Sequence, residues 1–267
     1  MIEWWLVYLV MGLFVGLFAG LLGIGGGTLL VPLMVFVFTA QGFENERILH
    51  LAIGTSLASI VFTSISSIRA HHARGAVLWP VFKNSALFLV LGTLLGSLFA
   101  DSLDPKILAS LFMVFAFYSA AQLILNIKPK STRNLPSRIG LGVGASLVGV
   151  LSSLVGVGGG VITIPLMVMC NIPMRNAVGT SAALGLPIAA AGTIGYVLTG
   201  LGESLMPSLS VGYVYLPALA GIVLGTFITV PFGAKLAHSL PVGTLKKIFA
   251  FVLLGLAIKM FTTIFEV

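Results

Sequence analysis

Gly23-Ile24-Gly25-Gly26-Gly27 and Gly156-Val157-Gly158-Gly159-Gly160 interrupt otherwise unbroken apolar sequence, and their reading decides the fold. Each glycine costs a helix interior about 0.8 to 1 kcal/mol relative to alanine, so neither stretch continues as a regular helix. The apolar runs that follow, 28–40 and 161–171, give about 16 to 20 Å of helix against a bilayer core of about 30 Å. They read as half-helices whose N-termini lie at the glycines. Pro32 and Pro165 are expected near the first turn of each, where a missing N–H costs little. Non-helical backbone at membrane depth survives only when buried in protein or lining a polar cavity, so both breaks are expected inside the protein.

The rest of the chain supplies the membrane setting. Its 267 residues are 58% hydrophobic and 8% charged, with a mean hydropathy of +1.14, whereas soluble domains carry about 25% charged residues. A soluble protein is excluded. A membrane β-barrel is excluded as well, because the runs are continuously apolar rather than alternating. Ten runs are read, five on each side of the hydrophilic gap 127–138, so the expectation is an all-α polytopic membrane protein. The opening Met1-Ile2-Glu3-Trp4-Trp5 lacks a basic segment and no A-x-A site follows, so the first run reads as a retained helix. A single cysteine, Cys170, forms no intramolecular disulfide. The net charge of +7 reads as Lys and Arg kept on the cytoplasmic side of a bilayer, not as a nucleic-acid surface.

Sliding the halves over each other reveals a duplication. Gly16 to Val35 aligns with Gly149 to Val168, and ten of the twenty positions are identical. Gly54-Thr55-Ser56 recurs as Gly179-Thr180-Ser181, and Leu91-Gly92-Thr93 as Leu224-Gly225-Thr226, in the same order. The chain therefore reads as a first repeat, 1–126, a cytoplasmic linker, 127–138, and a second repeat, 139–267. Whether the repeats are parallel or inverted depends on whether the chain passes through the glycine clusters or turns back at them. Turning back places eleven basic residues inside (Arg69, Arg74, Lys83, Lys128, Lys130, Arg133, Arg138, Arg175, Lys235, Lys246, Lys247) and Arg47 and Lys106 outside, with Lys259 near the end of the last helix left uncounted. Passing through moves Arg175, Lys235, Lys246 and Lys247 outside, against the positive-inside rule. The expectation is two inverted repeats, each a glycine-tipped broken-helix hairpin plus three transmembrane helices, with both termini outside.

In that arrangement two helix N-termini converge from opposite sides of the membrane, bringing unpaired N–H groups and two positive dipole ends to one central region. Such a region suits a phosphate-like or sulfate-like anion and needs no cationic side chain. No Lys, Arg, Asp or Glu lies deep in any run. The candidate substrate-binding residues are Gly25, Gly26, Gly27 and Thr28 at the first break, Gly158, Gly159 and Gly160 at the second, and the repeated hydroxyls Thr55, Ser56, Thr180 and Ser181. From Ser56 the series Ser59, Thr63, Ser66 places hydroxyls along one helical face, a candidate path. The second half has Pro187 there instead.

The paired Gly-x-Gly-Gly-Gly segments running into Pro-Leu-Met, the Gly-Thr-Ser in each half and the length resemble the sulfite exporter TauE/SafE family, over essentially the whole chain. The family's motif segments fall on Gly23 to Pro32, Gly54 to Ser56, Gly156 to Pro165 and Gly179 to Ser181. The resemblance implies a bacterial or archaeal inner-membrane permease for sulfite, sulfoacetate or related anions; separately, the residues lead us to expect no cofactor and no metal. It leaves open proton- or sodium-coupled uptake, and an anion channel.

Blander readings stand beside these. Glycines in membrane helices often serve close packing, and hydroxyls often bond back to their own helix. A dinucleotide-binding or P-loop reading fails, because no strand precedes the glycines and no Lys-Ser or Lys-Thr follows them. His71 and His72 read as part of a solvated basic loop. An intramembrane enzyme is excluded: Asp101 and Asp104 fall in a loop, and all four histidines, His50, His71, His72 and His238, lie at or near loops.

Overall fold

The computed structural model describes residues 2–22, 26–125, 136–204, 206–236 and 242–265. They form ten helices: α1 (Ile2–Leu22), α2 (Gly27–Ala40), α3 (Asn45–Ala73), α4 (Trp79–Asp101), α5 (Pro105–Leu125), α6 (Arg138–Val155), α7 (Gly160–Met169), α8 (Met174–Gly200), α9 (Leu216–Leu236) and α10 (Val242–Phe265). Seven are long and apolar enough to cross a membrane. The chain is a multi-pass α-helical membrane protein. The helices that follow the glycine clusters, α2 and α7, have 14 and 10 residues, about 21 and 15 Å, which is too short to span.

Contacts between helix ends fix the bundle's two ends. At one, Arg47 at the start of α3 meets Glu203 beyond α8 and Tyr213 before α9, and Tyr213 reaches Asp101 at the end of α4. Gln41, after α2, reaches Tyr8 in the first turns of α1, and Lys106 at the start of α5 lies over the Phe265 ring at the end of α10. At the other end, Arg175 and Asn176 at the start of α8 bond the carbonyls of Arg74 and Ala76, after α3. Ile172, just past α7, packs there with Val81 and Ala177. These are called the Arg47 end and the Arg74 end. Helix α1 lies beside α9 in parallel, Gly12 at Ile222 and Gly16 at Thr226, and α6 lies beside α4 in parallel, Gly92 at Ser146 and Gly96 at Val150. It follows that α1 and α2 leave and return to the Arg47 end, whereas α6 and α7 leave and return to the Arg74 end.

Lipid gives no hydrophobic drive for helix association, so small residues that let backbones touch must supply it. They do so here. A Cβ on Gly92 would lie 2.1 Å from the Ser146 carbonyl oxygen, on Gly149 2.5 Å from that of Leu89, and on Gly12 2.4 Å from that of Ile222. The packing reading of glycine therefore holds along α1/α9 and α4/α6, away from the breaks. Helix α3 sits at the centre, buried without a break from Ile48 to Ile60, against Leu29, Val31 and Met34 of α2.

Several local expectations change. His71 and His72 are in the last turn of α3, because the helix runs on past its apolar stretch to Ala73. His50 is not loop-like: it is buried on α3, its Nε2 3.0 Å from the Ala100 carbonyl oxygen, and Asp101 closes α4. Pro32 and Pro165 lie inside their helices, at the sixth residue rather than the first turn, so the carbonyls of Thr28 and Val161 four residues earlier lose their helical donor. A two-stranded hairpin, β1 (Ser210–Val211) and β2 (Val214–Tyr215), connects α8 to α9, its second strand taking up the start of the apolar run 213–233.

Candidate functional site

The second glycine break is built from two left-handed residues. Helix α6 ends at Gly156, φ +69°, whose N–H bonds the Ser152 carbonyl, and Gly159, φ +74°, caps the start of α7. A side chain at either would be strained, which is why glycine stands at both. Of the first break, Gly26 caps α2 in ordinary helical geometry, while Gly23, Ile24 and the candidate Gly25 lie outside the described residues. The two breaks touch. A Cβ on Gly27 would come within 2.7 Å of the Gly156 carbonyl oxygen and 3.2 Å of Val157 Cα, and the Ser56 hydroxyl donates to the same Gly156 carbonyl at 2.9 Å. Thr28 is 1% exposed and its hydroxyl has no partner, although a buried hydroxyl ordinarily does.

The repeated Gly-Thr-Ser segments do something the sequence does not reveal. Gly54 lies against the Tyr213 carbonyl, and the Thr55 hydroxyl oxygen accepts from the Tyr215 N–H at 3.0 Å. Gly179 lies against the Ala76 carbonyl, and the Thr180 hydroxyl oxygen accepts from the Leu78 N–H at 2.9 Å. The geometry is the same at both ends: glycine admits a loop carbonyl, and threonine holds the amide two residues on, just ahead of α9 or α4. Thr55 and Thr180 are thus engaged at opposite ends of the bundle as clasps between the two parts of the chain. Replacing either by valine leaves a buried amide without its acceptor. Each variant should lose about 1 to 3 kcal/mol of stability in a thermal unfolding assay, and serine should restore most of it.

The serines point toward the second break instead. Ser181 Oγ lies 2.6 Å from Thr163 Oγ1, which also lies 3.1 Å from the Gly159 carbonyl oxygen. With the Thr163 proton on the Gly159 carbonyl, Ser181 is the donor to Thr163, and a ligand takes that proton only by replacing Thr163 as its acceptor. Beside them is a cavity of about 70 Å³ lined by Gly158, Gly160, Ser181, Thr63, Ser64 and Ser67, with Ala19, Ile60, Ala182, Gly185 and Val230. Its lining carries no charge, and its hydroxyls on α3 lead from the breaks toward the Arg74 end. The space exceeds the roughly 10 to 15 Å³ that one water needs on this measure, so a small oxyanion or a few waters fit.

Of the candidates, Gly158, Gly160 and Ser181 line one cavity. Gly26, Gly27, Thr28 and Ser56 belong to the contact between the breaks, and Gly159 faces Ile188 and Ser152 on the opposite side of the tip. Within the Ser/Thr series, Ser59 and Thr63 donate to their own helix, to the carbonyls of Thr55 and Ile60. The sequence reading passed over Ser64 and Ser67. Helical spacing from Thr63 is the signal that would have found Ser67.

The family model for "Sulfite exporter TauE/SafE" matches residues 8–260. A "Probable membrane transporter protein" of Haemophilus influenzae is 36% identical over 258 residues, covering 96% of this chain and 97% of that protein. The "Probable membrane transporter protein YdhB" of Bacillus subtilis is 30% identical over 252 residues, covering 90% and 93%. One from Methanocaldococcus jannaschii, MJ0441, is 31% identical over 214 residues, covering 78% and 77%. No solved structure matches the chain.

Proposed function

The chain belongs to the sulfite exporter TauE/SafE family of membrane transporters, and from that premise we propose that it carries small sulfur-containing anions, sulfite or organosulfonates, outward across the cell inner membrane. The observation that carries the reading is the uncharged, hydroxyl-lined cavity at the second glycine break, where Gly158 and Gly160 bring backbone to the wall. First-turn amides of a helix lack intrahelical acceptors, and they favour an anion without binding it as tightly as a buried cation would. The repeats 1–126 and 139–267 are inverted about this region, the linker 127–138 joining them. Two half-helices that return to opposite ends and meet at Gly27 and Gly156 support that arrangement. Arg69, Arg74, Lys83, Arg138 and Arg175 belong to the Arg74 end, which makes it cytoplasmic by the positive-inside rule and leaves both termini outside.

Export then needs no coupling ion. An anion leaving a cell that is negative inside gains roughly 2.3 kcal/mol per charge per 100 mV, about fifty-fold for a monoanion. In proteoliposomes, an imposed potential, positive on the receiving side, should accumulate sulfite with no proton or sodium gradient. Flux that ignores the potential and follows an ion gradient would replace this reading with coupled uptake. One observation favours sodium for that second reading: Pro32 and Pro165 free the Thr28 and Val161 carbonyl oxygens beside the breaks, the type of ligand sodium takes in broken-helix transporters. Unitary currents in a planar bilayer would instead mark a channel.

A further inference from the structure

The cavity at the second break leads toward the Arg74 end, and the way to the Arg47 end is shut. The connection between α8 and α9 shuts it. Tyr213 is fully buried there, its carbonyl against Gly54, its N–H bonded to the Tyr196 carbonyl at 3.1 Å. Above it lies a polar layer. Arg47 Nη2 is 2.9 Å from Glu203 Oε1, Arg47 Nη1 donates to the Tyr213 hydroxyl at 3.2 Å, and that hydroxyl donates to Asp101 Oδ1 at 2.8 Å. Burial first, and the Asp101 bond next, push the Tyr213 hydroxyl above its ordinary pKa, so it stays a donor. Arg47–Glu203 is the one ion pair among the described residues, and it joins α3 to the segment beyond α8. At the Arg74 end the matching clasp, Gly179 and Thr180 on the loop at Ala76 to Leu78, has no such pair among them.

Outside the layer is a cavity of about 410 Å³ whose wall includes Arg47 and Lys106, with Glu46 and Asp104 opposite in charge. Asp104 is already engaged, its carboxylate accepting from the Lys106 N–H at 2.7 Å. Arg47 therefore stands between a closed core and an open vestibule. Its guanidinium has five N–H donors, and the buried Nε has no partner, so donor capacity is left over. Glu203 and Asp101 together outweigh the single guanidinium, so the closed layer repels an anion from within until Glu203 withdraws.

We propose that the Arg47–Glu203 pair latches the Arg47 end shut, and that Arg47 is the residue a departing anion meets when the latch opens, exchanging the Glu203 carboxylate for the anion's oxygens. Both are oxyanions and suit the same planar fork. Each side chain of the pair is 27% exposed, and a partly solvated pair is exchanged at modest cost. Glu203 then pairs with Arg47 again, and the Arg47–Tyr213–Asp101 bonds re-form the seal behind the anion.

The test uses the full-length protein in right-side-out and inside-out vesicles, with Cys170→Ser and with Ser64→Cys as a reporter on the cavity wall. An impermeant thiol reagent should reach that thiol from the Arg74 side. Adding Glu203→Gln should raise its reactivity from the Arg47 side about tenfold, the loss of one charge-assisted bond. Tyr213→Phe, which keeps the ring, should do the same if Glu203→Gln folds poorly. The exchange Arg47→Glu with Glu203→Arg should restore shielding but not sulfite flux, since a carboxylate now faces the anion. Unchanged reactivity in both Glu203→Gln and Tyr213→Phe overturns the latch. An exchanged pair with wild-type flux overturns the encounter with Arg47. The proposal rests on the anion-carrier reading, but the thiol assay uses no substrate. A wild type that moves neither sulfite nor isethionate therefore overturns that reading and the Arg47 encounter with it, while the latch is judged separately.

Discussion

Gly158→Ala should leave the protein folded and inserted, yet weaken sulfite binding by about ten- to a hundredfold. The added Cβ would sit 3.3 Å from Ile60 Cγ2 and 3.9 Å from Gly185 Cα, and both neighbours line the cavity. Those distances ask for a few tenths of an ångström of adjustment from the end of a flexible side chain. The fold tolerates the methyl, but an anion that approached the backbone there does not. The expected loss corresponds to one charge-assisted hydrogen bond, about 1.5 to 3 kcal/mol. Gly255→Ala is the control, since a Cβ there meets nothing within 4 Å. Equilibrium binding of labelled sulfite in detergent reads both variants, and a thermal melt confirms their integrity. Wild-type affinity in a folded Gly158→Ala protein would remove the second break from the site.

Gly92→Val should fail at an earlier stage, in assembly. Its first side-chain carbon would fall 2.1 Å from the Ser146 carbonyl oxygen and 2.7 Å from Ser146 Cα, and backbone cannot swing aside as a side chain can. The α4/α6 pair must separate, giving up the contacts along Gly96 and Gly149 as well. Overpacking alone costs about 1 to 3 kcal/mol, and a separated pair adds to it, so the variant should lose most of its monodisperse folded yield on size-exclusion chromatography. Gly144→Val on the partner helix α6, where a Cβ finds open space, should express like the parent. Equal yields would mean that α4 and α6 are held together by something other than close backbone approach.

The contrast between these two glycines explains what could and could not be read in advance. Hydropathy and length place the long spans, because a bilayer sets both, and the glycine clusters mark half-helices because four glycines in five residues do not stay helical. Periodicity cannot tell that Gly54 admits a carbonyl from 159 residues away, since that partner comes from a hairpin whose second half, Tyr213 to Tyr215, looks like the start of an apolar span. Thr55 and Thr180 look like ligands for the same reason. Their duplication is visible in sequence, but their partners, the amides of Tyr215 and Leu78, are visible only in space. His50 looks peripheral because Arg47 and Glu46 precede it, and α3 nonetheless carries it into the core.

The central claim is that an oxyanion sits at the glycine breaks and is held by backbone and hydroxyl groups. The most direct measurement uses selenite, the heavier analogue of sulfite, in crystals of the wild-type protein, with anomalous diffraction recorded at the selenium edge. The account predicts one selenium peak in the cavity beside Gly158, Gly160 and Ser181, weakened or absent in Gly158→Ala crystals grown in the same way. A well-ordered cavity without selenium, together with a peak elsewhere in the bundle that Gly158→Ala leaves untouched, would contradict it.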